Sequence, residues 1–279
     1  MPKSTSYEYG EAYQLQQVEK HRNRRDNHWK PRLALAHQMI DDFVLPRLGK
    51  RTAADITVLD VGCSIGTMAI EMALRGFTSY GVDFDRAALR IARELAAEEG
   101  VAVQFFEGDV AEWRAENIES FDIALCFDIF EHLHDDELGG LLQSVRRRLN
   151  PNGAVVFYTF PLQYDYLFFS RDWLHWPLLP FARLPPALFD KLVRAYAAVL
   201  DAGLLVATGA SYTERITKLS HCNPTTKSRL TAILERAGYT IGFIETRNLY
   251  PFKPHVLRRF GGQPIAHRNL IGVAYPGRR

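Results

Sequence analysis

The chain reads as a doubly wound α/β domain with an N-terminal helical cap and an inserted lid, and three observations lead to that class. Apolar strand-like runs alternate with amphipathic helical runs between Ile56 and Phe160, the pattern of βαβ units stacked on a parallel sheet. The first of these strands, Val58-Leu59-Asp60-Val61, runs straight into Gly62-Cys63-Ser64-Ile65-Gly66, after which Ile65, Met68, Ala69, Met72 and Ala73 recur at helical spacing. The alternation then stops at residue 161 and resumes near Asn223, so residues 161–218 stand outside it.

Composition fits an ordinary globular chain: 279 residues, 47% hydrophobic and 24% charged. A net charge of +2 is too mild to demand nucleic acid or an anionic membrane as partner. Cys63, Cys126 and Cys222 are odd in number and far apart, which suggests neither a disulfide framework nor a zinc knuckle. Residues 1–10 are polar where a signal peptide would be apolar, and no run reaches the ~20 apolar residues of a membrane span. A cytoplasmic protein is therefore expected.

In chain order, residues 1–50 form the expected cap. Pro31 opens an amphipathic helix with Leu33, Ala36, Ile40, Phe43 and Val44 on one face, and Pro46 marks its end. The cluster His21-Arg22-Asn23-Arg24-Arg25 is read as a solvated helix face rather than a grip on phosphate or nucleic acid. Tyr9, Tyr13 and Trp29 are available to close over a bound cofactor.

The core, residues 51–160, is built around the glycine loop. Two glycines allow positive φ and close backbone approach, and the following helix start offers unpaired N–H groups. A dinucleotide fingerprint would read G-x-G-x-x-G and seat a pyrophosphate; here Gly62-x-x-x-Gly66 follows Asp60, whose carboxylate repels a diphosphate and suits an ammonium group. A tight turn with no ligand would use the same residues. This stretch resembles the first motif of the class I S-adenosylmethionine (SAM)-dependent methyltransferases, an acidic residue followed by G-x-G or a near variant, with Ser64 in place of the middle glycine.

Thr78 to Val82 then forms a second strand ending at Asp83-Phe84, where an acidic tip suits the ribose hydroxyls of either NAD or SAM. Asp85 caps a helix carrying Ala88, Ile91 and Leu95, with Gly100 beyond it. A third strand stops at Gly108-Asp109-Val110, where the resemblance places a carboxylate against the adenine amino group, although a helix N-cap needs the same Asp. The fourth strand, Phe121 to Phe127, leads into Asp128-Ile129-Phe130-Glu131-His132, and a helix with acidic first and basic last turns follows. Asn150-Pro151-Asn152-Gly153 is a turn and Ala154 to Phe160 a fifth strand. The expected cofactor site is Asp60, Gly62, Cys63, Ser64, Gly66, Asp83, Phe84, Asp109, Val110 and Phe127.

Residues 161–218 are rich in aromatics and prolines and then helical from Ala187 to Leu205. A lid or substrate-pocket wall is the first reading; a homodimer arm and a peripheral membrane contact follow. The remaining stretch, 219–279, returns to the core: Asn223-Pro224 opens a helix ending at Gly238, and Tyr239 to Thr246 and Asn269 to Tyr275 close the sheet. The resemblance implies a final antiparallel strand.

The segment D-x-x-E-H is similar to the E-V-x-E-H of the ubiquinone-biosynthesis O-methyltransferases and the small-RNA ribose methyltransferases, with Asp128 in the first place. That resemblance implies a divalent metal held by Asp128, Glu131, His132 and a later histidine, His221; on a helix the first three, at i, i+3 and i+4, would share a face. Such donors suit Mn²⁺, Fe²⁺ or Zn²⁺ better than Mg²⁺. The alternative makes His132 or His221 an ordinary base. No N-P-P-Y element follows the fourth strand, which disfavours DNA bases as acceptors, and nucleic acid is not an expected partner. The function expected is methyl transfer from SAM to a hydroxyl of a small-molecule, sugar or lipid-linked acceptor. An NAD-linked dehydrogenase and a non-catalytic SAM-binding protein are the alternatives.

Overall fold

The computed structural model describes residues 10–49, 51–109, 118–165, 167–168, 173–216, 221–249 and 253–277. The cap consists of α1 (Glu11–Arg22), α2 (Trp29–Met39), a π-helical turn Ile40–Val44 and α3 (Leu45–Leu48). The core follows as β1 (Thr57–Val61), α4 (Thr67–Leu74), β2 (Thr78–Asp83), α5 (Arg86–Glu98), β3 (Val103–Glu107), β4 (Phe121–Phe127), α6 (Asp135–Arg148) and β5 (Leu149–Thr159). The insertion carries a 3₁₀ turn Trp176–Phe181, α7 (Pro186–Thr208) and α8 (Tyr212–Ile216). The chain ends in α9 (Lys227–Arg236), β6 (Tyr239–Arg247), α10 (Pro254–Phe260) and β7 (Asn269–Pro276).

The seven strands form one sheet in the order β3-β2-β1-β4-β5-β7-β6. The first five run parallel, and β7 is antiparallel to both β5 and β6. Every residue of β4 is buried, as a strand covered on both faces requires. One face packs under α6 and α9 through Leu138, Leu142, Leu230 and Leu234; the other packs under α2 and the π turn through Leu33, Met39 and Ile40. The order reverses between β1 and β4, and the crevice beyond their carboxyl ends is where ligands bind in such sheets. Among the described residues no helix is long and apolar enough to cross a membrane.

Several expectations are corrected. Pro46 does not end the cap helix: the π turn lets Leu45 N–H donate to Ile40 carbonyl, and Pro46, which has no N–H to give, enters the first turn of α3. His21 and Arg24 are not solvated. His21 is fully buried with Nδ1 3.1 Å from Thr67 Oγ1, and Arg24 donates to Glu71 and Glu99. Arg22 pairs with Glu98 and Arg25 with Glu71, so the basic cluster clamps the cap to α4 and α5. Asn150 to Gly153 belong to β5, as a bulge between the pairs Phe121↔Leu149 and Ile123↔Ala154. The N-cap of α9 is Thr226, whose hydroxyl accepts from Arg229 N–H, not Asn223. Tyr9 and Val110 lie outside the described residues.

The insertion has an apolar cluster of its own, in which Leu167, Phe168, Leu178, Phe189 and Val193 meet Val256 and Phe260 of α10. Residues 254–266 therefore complete the insertion, although the sequence reading assigned them to the core.

Candidate active site

The glycine loop is held open by three residues with positive φ: Gly62 at 72°, Ser64 at 48° and Gly66 at 78°. Ser64 thus keeps the left-handed conformation of the glycine it replaces. Gly62 and Cys63 N–H groups both donate to Val82 carbonyl, and Ser64 N–H donates to Asp83 Oδ2 at 2.7 Å. Asp83 also accepts from Asp85 N–H at 2.9 Å, and burial raises its pKa. Asp60 is buried at the end of β1, accepts from Ala69 N–H at 3.1 Å, and is pushed up to about 7 by burial. The two carboxylates therefore sit on either side of one loop, each tied to backbone N–H groups.

Not every expected cofactor residue faces the crevice with its side chain. The Phe127 ring stacks on Tyr158 at 5.8 Å in the layer beneath α2, and Cys63 is buried among Ile65, Ala69 and Phe105. Phe84 and Asp109 are exposed at the tips of β2 and β3.

Beyond β4 the chain turns sharply. Asp128 has φ 54° and its N–H donates to Tyr158 carbonyl. Its carboxylate accepts from Arg32 Nε at 2.8 Å and Nη2 at 3.3 Å, while the Arg32 guanidinium lies 4.8 Å over the Tyr158 ring. A 3₁₀ turn, Phe130–His132, follows. Glu131 is buried, with Thr159 hydroxyl donating to its Oε2 at 2.8 Å, and burial together with the nearby Asp128 charge pushes its pKa well up. His221 arrives from the far side of the insertion. Asn223 holds it there, its N–H donating to Glu131 carbonyl at 2.9 Å and its Nδ2 to Leu133 carbonyl at 2.8 Å. Ligand atoms of Glu131, His132 and His221 lie within 4.8 Å of one another, and the two imidazole rings are 4.9 Å apart. Burial lowers the His221 pKa.

Asp128 is not part of that cluster, which corrects the four-residue set. Its left-handed φ breaks the helix on which i, i+3 and i+4 would share a face, and Arg32 occupies its carboxylate. The cluster adjoins the glycine loop through Ile129: a Cβ on Gly62 would stand 2.8 Å from Ile129 Cδ1. On the insertion side, a cavity of about 250 Å³ is lined by Tyr164, Arg194, Tyr212, Cys222 and Asn223 among others.

Sequence reasoning missed Arg32 and Thr159. Thr159 left a trace, as the one aliphatic hydroxyl near the carboxyl end of an otherwise apolar and aromatic strand; Arg32 left none, because its partner lies 96 residues away.

With this geometry in place, comparison with known proteins is decisive at the level of the domain. Residues 58–153 match the family described as a methyltransferase domain. The chain carries a methyltransferase domain. The "Ubiquinone biosynthesis O-methyltransferase" of Pseudomonas syringae pv. tomato is 35% identical over 102 residues, which cover 37% of this chain and 43% of that protein; the chain thus spans less than half of the curated relative. Among solved structures, an S-adenosylmethionine-dependent methyltransferase from Clostridium acetobutylicum superposes with a TM-score of 0.57 at 10% identity, covering 96% of this chain and 99% of that one. The magnesium protoporphyrin IX methyltransferase of Synechocystis, solved with bound SAH, gives 0.54 at 15% identity, covering 95% and 96%. At such identities these neighbours show that the methyltransferase domain and its surroundings share the SAM-dependent methyltransferase fold.

Proposed function

We propose that this methyltransferase domain moves the methyl group of SAM to a hydroxyl oxygen of a small-molecule, sugar or lipid-linked acceptor. The observation that carries the reading is the Glu131–His132–His221 cluster packed beside the glycine loop. The name of the curated relative, an O-methyltransferase, supports the choice of oxygen. Asp83 offers lone pairs for ribose hydroxyls, and Asp60 a buried carboxylate for an ammonium group. In an in-line displacement the acceptor oxygen forms a bond to the methyl carbon as the carbon–sulfur bond breaks, its electron pair staying on sulfur. The protein must align the three atoms, exclude water and take the hydroxyl proton. His132 and His221 are placed to accept that proton. Asp128, fixed by Arg32, shapes the floor on which the acceptor would rest. The polar lining of the adjoining cavity suits a hydroxylated acceptor.

One buried carboxylate and two imidazoles also fit a divalent cation, and Mn²⁺, Fe²⁺ or Zn²⁺ more readily than Mg²⁺. Glu131, His132 and His221 would hold it, with Thr159 orienting the carboxylate. The ion would lower the pKa of the acceptor hydroxyl and fix its direction.

The test is mass spectrometry of a hydroxylated-compound panel incubated with the protein and methyl-labelled SAM, in metal-free buffer and with each metal restored. A labelled methyl ether is expected. Binding of SAM without any label transfer would leave a sensor, and calorimetric heat with NAD alone would overturn the reading.

A further inference from the structure

We propose that the insertion lays one side of the molecule against an anionic lipid surface, independently of the methyl-transfer reading. Helix α7 presents three sides. Phe189, Val193 and Ala197 are buried in the insertion cluster. Arg194 and Asp201 line the cavity beside the histidine cluster. The third side has no cover: Leu188, Ala195, Val199, Ala202 and Val206 are all exposed, Val199 at 68% and Val206 at 88%. Their intervals of seven, four, three and four keep them within roughly 40° of one line over about 27 Å.

In the turns that precede α7, which Tyr196 of that helix holds through its hydroxyl to Leu174 carbonyl, Trp173 and Trp176 are 60% and 59% exposed and Phe181 43%. They flank His175, whose ring lies 5.6 Å from Phe260, so they belong to the lobe that α10 completes. Within that lobe Arg194 pairs with Asp190 and Arg268 with Asp165. Arg183, Arg258 and Arg259 are exposed and make no ion pair or side-chain hydrogen bond among the described residues. Arg183 lies between Ala182 and Leu184, whose carbonyls accept from Gln263 Nε2 at 3.0 and 2.9 Å, just beyond α10. No Asp or Glu follows Glu245 in the sequence, so the modest net charge of the chain conceals a strongly basic end.

An apolar helix side, exposed tryptophans and unpaired arginines together match the boundary between lipid headgroups and hydrocarbon, with the helix in the plane of the surface rather than across it. Charge decides against a second copy of the chain. A second copy would bring the same basic end, which has no Asp or Glu after Glu245, whereas anionic headgroups complement these arginines.

The test is co-sedimentation of the full chain with vesicles of phosphatidylcholine alone and of phosphatidylcholine with phosphatidylglycerol. Binding to the anionic vesicles and release by high salt are expected. W173S/W176S and R258E/R259E should each lower the bound fraction about tenfold or more without moving the melting temperature, since all four side chains are exposed. Wild-type protein that stays in the supernatant with anionic vesicles, or variants that bind as well as wild type, would overturn the proposal. So would a stable dimer in sedimentation velocity that Val199→Asp splits, because the stripe would then belong to a second copy.

Discussion

Ser64 stands at φ 48° in a position where glycine costs nothing and a side chain costs about 1 kcal/mol. Ser64→Gly is therefore expected to raise stability by roughly that amount in urea unfolding. The positive φ could not be read from the sequence, where Ser64 looked like a departure from the motif. Gly66 teaches the converse. The sequence suggested that its missing side chain makes room for a ligand, but a Cβ there would meet the Phe105 ring at 2.7 Å and Ala92 at 3.0 Å, so this glycine lets α5 and β3 pack close. His21 was misread because a charge run is usually wet, and only the fold brings Thr67 and Glu99 to it. Burial lowers its pKa to about 4 from 6.5. The unfolded chain thus binds more protons between these values, so the stability contributed by neutral His21 is present above pH 6.5 and lost as pH falls toward 4. Between pH 7.5 and pH 5 the loss should be about 2 kcal/mol. Urea unfolding at both pH values checks it, and His21→Gln should flatten the dependence.

At the scale of elements, the strands and their acidic tips were legible because each strand is short, apolar and followed by a turn residue. The cap was legible as an amphipathic helix, but not its docking. Arg32 binds Asp128 through two nitrogens with side-chain exposures of only 12% and 32%. Arg32→Met should cost about 1–2 kcal/mol, since it leaves a half-buried carboxylate without its cation. Label transfer should fall further than stability does, because the floor beside Glu131 would move. Paired unfolding and activity measurements separate the two effects; equal loss in both would reduce Arg32 to a purely structural role. The metal-type cluster was partly legible: Asp128, Glu131 and the two histidines were all named from one motif, but the shared helix face that would bring Asp128 to the others is replaced by a left-handed turn.

For the molecule as a whole, residues 248–268 gave no usable period, since a helix as short as α10, opening at Pro254, buries just Val256 and Phe260. The insertion nevertheless depends on them. Phe260 is 1% exposed and its ring meets Phe168 and Phe189 at 5.4 and 5.7 Å. Phe260→Ala should cost about 3–5 kcal/mol locally, and limited proteolysis should then cut within residues 161–218 well before the core. The strand order has a consequence for synthesis. Strand β7 sits between β5 and β6 yet begins about 110 residues after β5 ends. At ~5–20 residues per second on the ribosome, the open edge of β5 waits roughly 5–20 s for its neighbour. During that interval a buried, apolar strand offers unpaired N–H and C=O groups to any passing chain, which makes the nascent protein a natural client for chaperones that shield sheet edges.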